Sequence, residues 1–415
     1  MMTQANLVRK RRFSTQQTFA ALKHRNYRLW FYGQMTSLFG TWMQSTAQGY
    51  LVYQLTHSAA YLGYVSFAAG IPGWFLVLFG GMLADRVPRR TLLVITQSIM
   101  MMLAFVLAGL TFLHLVQPWH IVVLAFLLGI TNAFDSPARQ SFVLELVERE
   151  DLTNAIALNS TMFNIATATG PATAGLAYAA FGPAWCFVIN AVSFLAVIWA
   201  LLMMRVKPLP PSRHSSPLVD IKEGLGYVIA SPMIAALIGL VGVYNLFGQS
   251  FTTLFPAWAV DVMKGDATTN GLMISARGIG ALFAALTIAS LGRFKYKGLL
   301  VSIGSFVFPI SVLLFALARW LPLSLFILFI AGGAAIFVVN LANALVQTLC
   351  ADELRGRVMG LYSITYLGLA PIGGLLIGGT AQQISEPPTV ILFALITLAC
   401  SALMWIFVPK LRTLS

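Results

Sequence analysis

The chain has 415 residues, 58% of them hydrophobic and 9% charged, with a formal net charge of +13. A soluble domain carries about 25% charged residues, so this composition excludes a water-soluble globular protein. The apolar residues fall in blocks of about twenty, the length a helix needs to cross roughly 30 Å of hydrocarbon.

In chain order the blocks predict a basic arm over 1–28 and six spans at 29–53, 60–84, 91–116, 119–143, 155–180 and 184–204. A polar linker over 205–232 leads to six more spans at 233–258, 268–291, 299–318, 321–349, 357–382 and 388–408, with a tail over 409–415. The expected fold is an all-α membrane protein of twelve transmembrane helices in two six-helix bundles, with both termini on one side. Lys and Arg collect in cytoplasmic loops near helix ends. With the N-terminus inside, all but Lys264, Arg277 and Arg319 of the 26 Lys and Arg lie on that side. The net charge is therefore a topology signal that anionic lipid headgroups suffice to answer, and nucleic acid is not an expected partner. The basic arm leads into a full-length span rather than a cleavable leader. A monomer in the inner membrane is expected.

The first span sets Gln34, Ser37, Thr41, Gln44 and Gln48 on one helical face. Amides do not face hydrocarbon unpaired, so the stripe faces a substrate cavity or hydrogen-bonds to neighbouring helices. An offset of 208 residues aligns the two halves, pairing Gly63 with Gly271 and Gly70 with Gly278. The same offset sets Asn245, Gln249 and Thr252 against Ser37, Thr41 and Gln44, which favours a cavity shared by both halves. It also sets Asn340, Asn343 and Gln347 against Asn132, Asp135 and Arg139. Asp135 and Arg139 can pair at four residues apart. Ionisable groups within a span are functional candidates, so a structural ion pair and a substrate- or proton-coupling site both stay open here.

The loop after the second span reads Gly81-Met-Leu-Ala-Asp85-Arg86-Val-Pro-Arg89-Arg90. Gly81 permits close helix approach, Asp85 suits a helix N-terminus in the opposite half, and the arginines suit acids or phosphates. The matching loop of the second half keeps its bases but lacks the acid. Arg277 lies within the eighth span, where a central charge costs roughly 2.5–3.5 kcal/mol on insertion scales. Asp261 at the outer end of the seventh span is its candidate partner, with the polar cavity or an anionic substrate as the alternative.

The chemistry-bearing patterns of other classes are missing. Cys186, Cys350 and Cys400 show no disulfide or metal-ligand spacing, and the five histidines fall in loops or at interfaces. No phosphate-binding G-x-x-x-x-G-K-[ST] loop occurs. Neither an enzyme, a metal nor a cofactor is expected.

The loop from Gly81 to Arg90 resembles the signature loop of the major facilitator superfamily, with Pro88 where Gly is usual. Ser37-Leu-Phe-Gly40-Thr41-Trp42-Met43-Gln44, Asn132-Ala-Phe-Asp135-Ser-Pro137-Ala138-Arg139-Gln140 and Arg355-Gly356-Arg357-Val358-Met359-Gly360 extend the likeness along nearly the whole chain. Together they resemble the branch that contains the enterobactin exporter and macrolide efflux proteins. That resemblance implies two parallel repeats rocking about a central site, and export of siderophores, drugs or similar amphipathic small molecules, driven by protons. It also implies that Asp85 steadies the contact between halves. Translocation of a lipid or lysophospholipid by the same fold is the competing expectation.

Overall fold

A computed structural model describes residues 19–206, 217–291 and 295–414, and the backbone alone of 217–222 and 291. The arm before residue 19, the linker at 207–216 and the loop at 292–294 lie outside it. Every element among the described residues is helical. The first half contains α1 (Arg25–Thr56), α2 (Ala59–Arg86), α3 (Arg89–Phe112), α4 (Pro118–Phe142), α5 (Leu152–Phe181) and α6 (Pro183–Met203). A short α7 (Pro217–Ala230) lies within the expected linker. The second half contains α8 (Pro232–Val262), α9 (Ala267–Leu291), α10 (Lys297–Leu317), α11 (Leu321–Leu349), α12 (Arg355–Ile384) and α13 (Glu386–Phe407).

Ten of these helices are long and apolar enough to cross a bilayer. The other two long ones, α1 with 32 residues and α5 with 30, have the length but are diluted by polar side chains. Pro118, Pro183 and Pro232 open α4, α6 and α8, where a missing N–H costs no helical bond. Gly182, at φ +83°, makes the turn between α5 and α6. At the start of the described chain, Lys23 and His24 both reach Asp151 at 2.7 Å. Their hydrogen bonds, that of Lys23 foremost, hold the Asp151 carboxyl below the usual carboxylate range.

Each half packs as its own bundle, and the two meet along α2–α12 and α5–α9. Glycine makes both seams possible, because only a residue without Cβ tolerates such backbone approach. A Cβ on Gly63 would sit 2.8 Å from the Gly374 carbonyl oxygen, and one on Gly271 would sit 2.2 Å from that of Pro171. The other repeat pair behaves alike: Gly70 abuts the Pro371 ring and Gly278 the Thr167 carbonyl. Thr167 is four residues before Pro171, so the proline leaves that carbonyl without its helical donor. The glycines matched at the 208-residue offset are therefore the seam itself.

The seams are closed on the face where α1 ends and α2 begins, called here the far face. Ser58 Oγ donates to Gln382 Oε1 at 2.6 Å, and the Tyr53 hydroxyl donates to Asp261. Further in, the Ala172 N–H donates to Ser275 Oγ at 2.9 Å and Trp74 Nε1 to the Gly368 carbonyl at 2.8 Å. Toward the face where α1 starts and α13 ends, called the terminal face, Asn164 of α5, Ala285 of α9 and Asn340 of α11 line an open chamber instead.

Candidate substrate cavity

A central cavity of about 600 Å³ joins this terminal chamber of about 490 Å³. Gln34, Leu38, Arg139 and Phe163 line both and form the neck between them. The α1 stripe predicted from the sequence is here: Gln34, Ser37, Thr41, Gln44 and Gln48 all line the central cavity. Part of it also serves the bundle, since Gln44 Oε1 accepts from Asn190 Nδ2 of α6 at 2.6 Å and Thr41 bonds back to the Ser37 carbonyl at 2.9 Å. Both readings of the stripe thus hold, on different side chains. Trp42, Phe163 and Phe194 supply apolar wall.

The cavity belongs almost wholly to one half. Among the described residues, all of its lining except Thr252, Thr253, Pro256, Asn270 and Ile274 comes from α1–α6. The expectation of a shared polar lining is corrected at four positions, Asn245, Gln249, Asn343 and Gln347, none of which lines either chamber. Asn245 donates to the Val241 carbonyl of its own helix at 2.9 Å, and Gln249 accepts from Arg277 at 2.6 Å. Their register changes because α8 winds as π turns over Tyr244–Gly248 and Trp258–Val262 and as 3-10 turns over Gln249–Leu254. Those turns carry 4.4 and 3 residues rather than 3.6, so equal spacing no longer means an equal face. Thr252 does reach the cavity. Asn340 lines the terminal chamber, while Asn343 and Gln347 bond to each other at 2.6 Å.

Asp135 sits at the cavity wall with 1% of its surface exposed. Its Oδ1 accepts from Thr96 Oγ1 at 2.8 Å and from Gln97 Nε2 at 2.9 Å, both on α3. Arg139 Nε lies 3.5 Å from Oδ2, and the arginine side chain is 31% exposed. The sequence pairing of acid and base is thus present, with the base reaching into both chambers and Asn132 one turn away on the cavity wall.

Arg277 does not meet Asp261. Ten residues into α9 is about 15 Å of helix, whereas Asp261 sits at the far end of α8 and takes the Tyr53 hydroxyl. Gln249 meets the guanidinium instead, and Arg277 Nε is buried without a partner.

At the loop after α2, Asp85 Oδ1 takes Arg89 at 3.1 Å, and Arg89 takes Glu145 at 2.7 Å. Arg90 caps the end of α6 through the Leu201 and Leu202 carbonyls at 2.6 and 2.7 Å. Arg86 is exposed. Gly81, expected at a close approach, has open space around it, and Gly80 makes the approach, with its Cβ position 2.2 Å from the Ala133 carbonyl. One residue turns a helix by about 100°, which moves the contact to its neighbour.

This loop, the two seams and a cavity lined mainly by one repeat are consistent with a facilitator-type transporter. Residues 16–414 match the family described as transmembrane secretion effector. The chain belongs to that family of the major facilitator superfamily. It is 26% identical over 397 residues to the staphyloferrin A transporter of Staphylococcus aureus, covering 92% of this chain and 96% of that one. It is 25% identical over 370 residues to the enterobactin exporter EntS of Shigella boydii, covering 87% and 86%. In structure it is similar to the nucleoside transporter NupG, with a TM-score of 0.73 at 16% identity over 93% and 99% of the two chains. A bacterial homologue of the lysosomal transporter Spinster, in an inward-facing and unoccupied conformation, gives 0.67 at 14% identity over 96% and 98%. These likenesses show the fold.

The polar stripes read from the sequence do not point to Thr96, Gln97, Asn190 or Glu145. Signals were present for three of them. Thr96-Gln97-Ser98 interrupts an apolar run in α3, and Asn190 is the one amide of the sixth span. Both show as polar residues in hydrocarbon, which need partners.

Proposed function

We propose that this secretion effector exports small amphipathic molecules of siderophore or drug-like type by alternating access, with protons as counter-ions. The observation that supports it is the polar cavity of α1–α6, entered from the terminal face while both seams are shut on the far face. The distribution of Lys and Arg favours a cytoplasmic terminal face. A cavity loading from the inside suits export across the inner membrane. Two relatives carry siderophore names, as staphyloferrin A transporter and enterobactin exporter.

In this reading one copy suffices and lipids fill the surround. Gln34, Ser37, Thr41, Gln48, Asn132 and Thr252 contact substrate, and Asp135 with Arg139 as counter-ion exchanges the proton. Gly81, Asp85, Arg86, Arg89 and Arg90 form the inner gate loop, and Arg277 with Gln249 stiffens the opposite wall. Inverted vesicles are the test, loaded with and without a pH gradient and offered staphyloferrin A, enterobactin, a macrolide and a lysophospholipid. Gradient-stimulated uptake of a siderophore or the macrolide is expected. Uptake that ignores the gradient removes proton coupling, and uptake of the lysophospholipid alone replaces export by lipid translocation.

A further inference from the structure

Two buried acceptor atoms in the wall of the central cavity, beside the neck residue Arg139, receive no hydrogen bond. Asp135 Oδ1 is fully occupied by Thr96 and Gln97, but Oδ2 is buried without a hydrogen bond, and Arg139 Nε at 3.5 Å covers it without closing one. Gln97 Oε1 is likewise buried and unpartnered. Its orientation is fixed, because turning the amide over would set its oxygen against the carboxylate. Asp135 and Gln97 are 1% and 3% exposed, and both line the cavity. Unmade bonds of this kind are expensive for a buried acceptor, so they mark a place where a donor is expected. In front of them stands Arg139, an arginine with five N–H donors, one-third exposed and facing both chambers.

We propose that this corner binds an α-hydroxy carboxylate, or an equivalent hydroxyl beside an anionic oxygen, at the polar end of the substrate. The assignment rests on the transport reading above and names its substrate class. The anionic oxygen draws Arg139 into a charge-assisted pair. Its departure uncovers Asp135 Oδ2, and the adjacent hydroxyl donates to that oxygen with Gln97 Oε1 beside it. A plain carboxylate takes Arg139 but leaves the buried Asp135 oxygen bare. A plain alcohol cannot draw Arg139 away. The two groups are therefore needed together, while Trp42, Phe163 and Phe194 receive an apolar body.

The same geometry links the site to protons. A proton on Oδ2 takes one of its lone pairs and turns that group from acceptor to donor, so it competes with a donating substrate hydroxyl. Arg139 is the charged group at this point. On the packed neighbours, α3 presents Thr96 and Gln97 here and carries Arg89 seven residues earlier, where it meets Asp85 of α2 and Glu145, and α2 meets α4 through Gly80 on Ala133 and Ala69 on Gly129.

The test compares mandelate with phenylacetate, which share ring and carboxylate and differ by one hydroxyl, as ligands of the purified full chain by calorimetry and ligand-observed NMR. Mandelate is expected to bind about tenfold tighter, in line with a hydrogen bond to a charged group. Gln97→Leu and Asp135→Asn each bring that ratio toward one, and Arg139→Gln weakens both acids. Melting curves in detergent confirm that each variant is folded. Equal affinity for the two acids, binding of neither, or a ratio unchanged in both Gln97→Leu and Asp135→Asn overturns the assignment. Failure of siderophore and macrolide uptake in vesicles, with the hydroxyl preference intact, would fault the transport reading and leave this site standing.

Discussion

The two halves descend from one pattern and differ in what fills them. The first is hollow: α1 runs as a regular helix from Arg25 to Thr56 and turns its amides to a cavity of about 600 Å³. The second is filled. Phe251, Phe255 and Trp258 of α8 pack onto Phe308 and Phe315 of α10, with Trp258 stacked on Phe315 at 4.7 Å between centroids. At the positions matching the α1 stripe, Asn245 bonds to its own helix and Gln249 holds Arg277. The seam glycines serve both halves alike. The repeat thus keeps the surfaces on which the halves meet, and the cavity lining is concentrated in one of them.

The comparison can be broken first at the seams. Gly271→Leu drives a side chain into the Pro171 carbonyl, 2.2 Å from the Cβ position, and no flexible group can yield there. Closure of the far face should be lost, with vesicle uptake abolished and spin-label distances across the far face lengthened. Gly81→Leu, which meets open space, is the control and should spare those distances.

Filling can be broken next. Phe315→Ala should cost about 3–5 kcal/mol, the usual range for emptying a packed aromatic site. It should lower the melting midpoint strongly while the KM for transport stays within about twofold, since no cavity residue moves. A large rise in KM would show that the second half does more than pack.

The smallest effect separates two amides, one from each of the matching stripes. Gln44→Leu leaves Asn190 without its 2.6 Å partner, a buried loss of about 1–3 kcal/mol, and removes a cavity side chain. Both the melting midpoint and KM should worsen. Asn245→Leu removes one bond to a backbone carbonyl and should leave KM unchanged. Equal effects on KM would restore a cavity shared by both halves.

Much of this site was legible because α1 is regular: Gln34 to Gln48 keep one face, and that face meets the cavity. Asp135 and Arg139, four residues apart on α4, were legible for the same reason. Arg277 was not, because its partner is set by how deeply α9 sits against α8. Thr96 and Gln97 became meaningful when α3 was found against Asp135, a contact between residues nearly forty positions apart.

Composition and periodicity by themselves determined the spans, the repeat and the side on which positive charge collects, because the bilayer imposes one length and one polarity on every helix. Tertiary structure decided which polar faces meet a cavity and which meet protein. A helical period defines a face but not what stands opposite it. In this chain the π and 3-10 turns of α8 and the aromatic packing behind them made two matching stripes into one lined wall and one closed one.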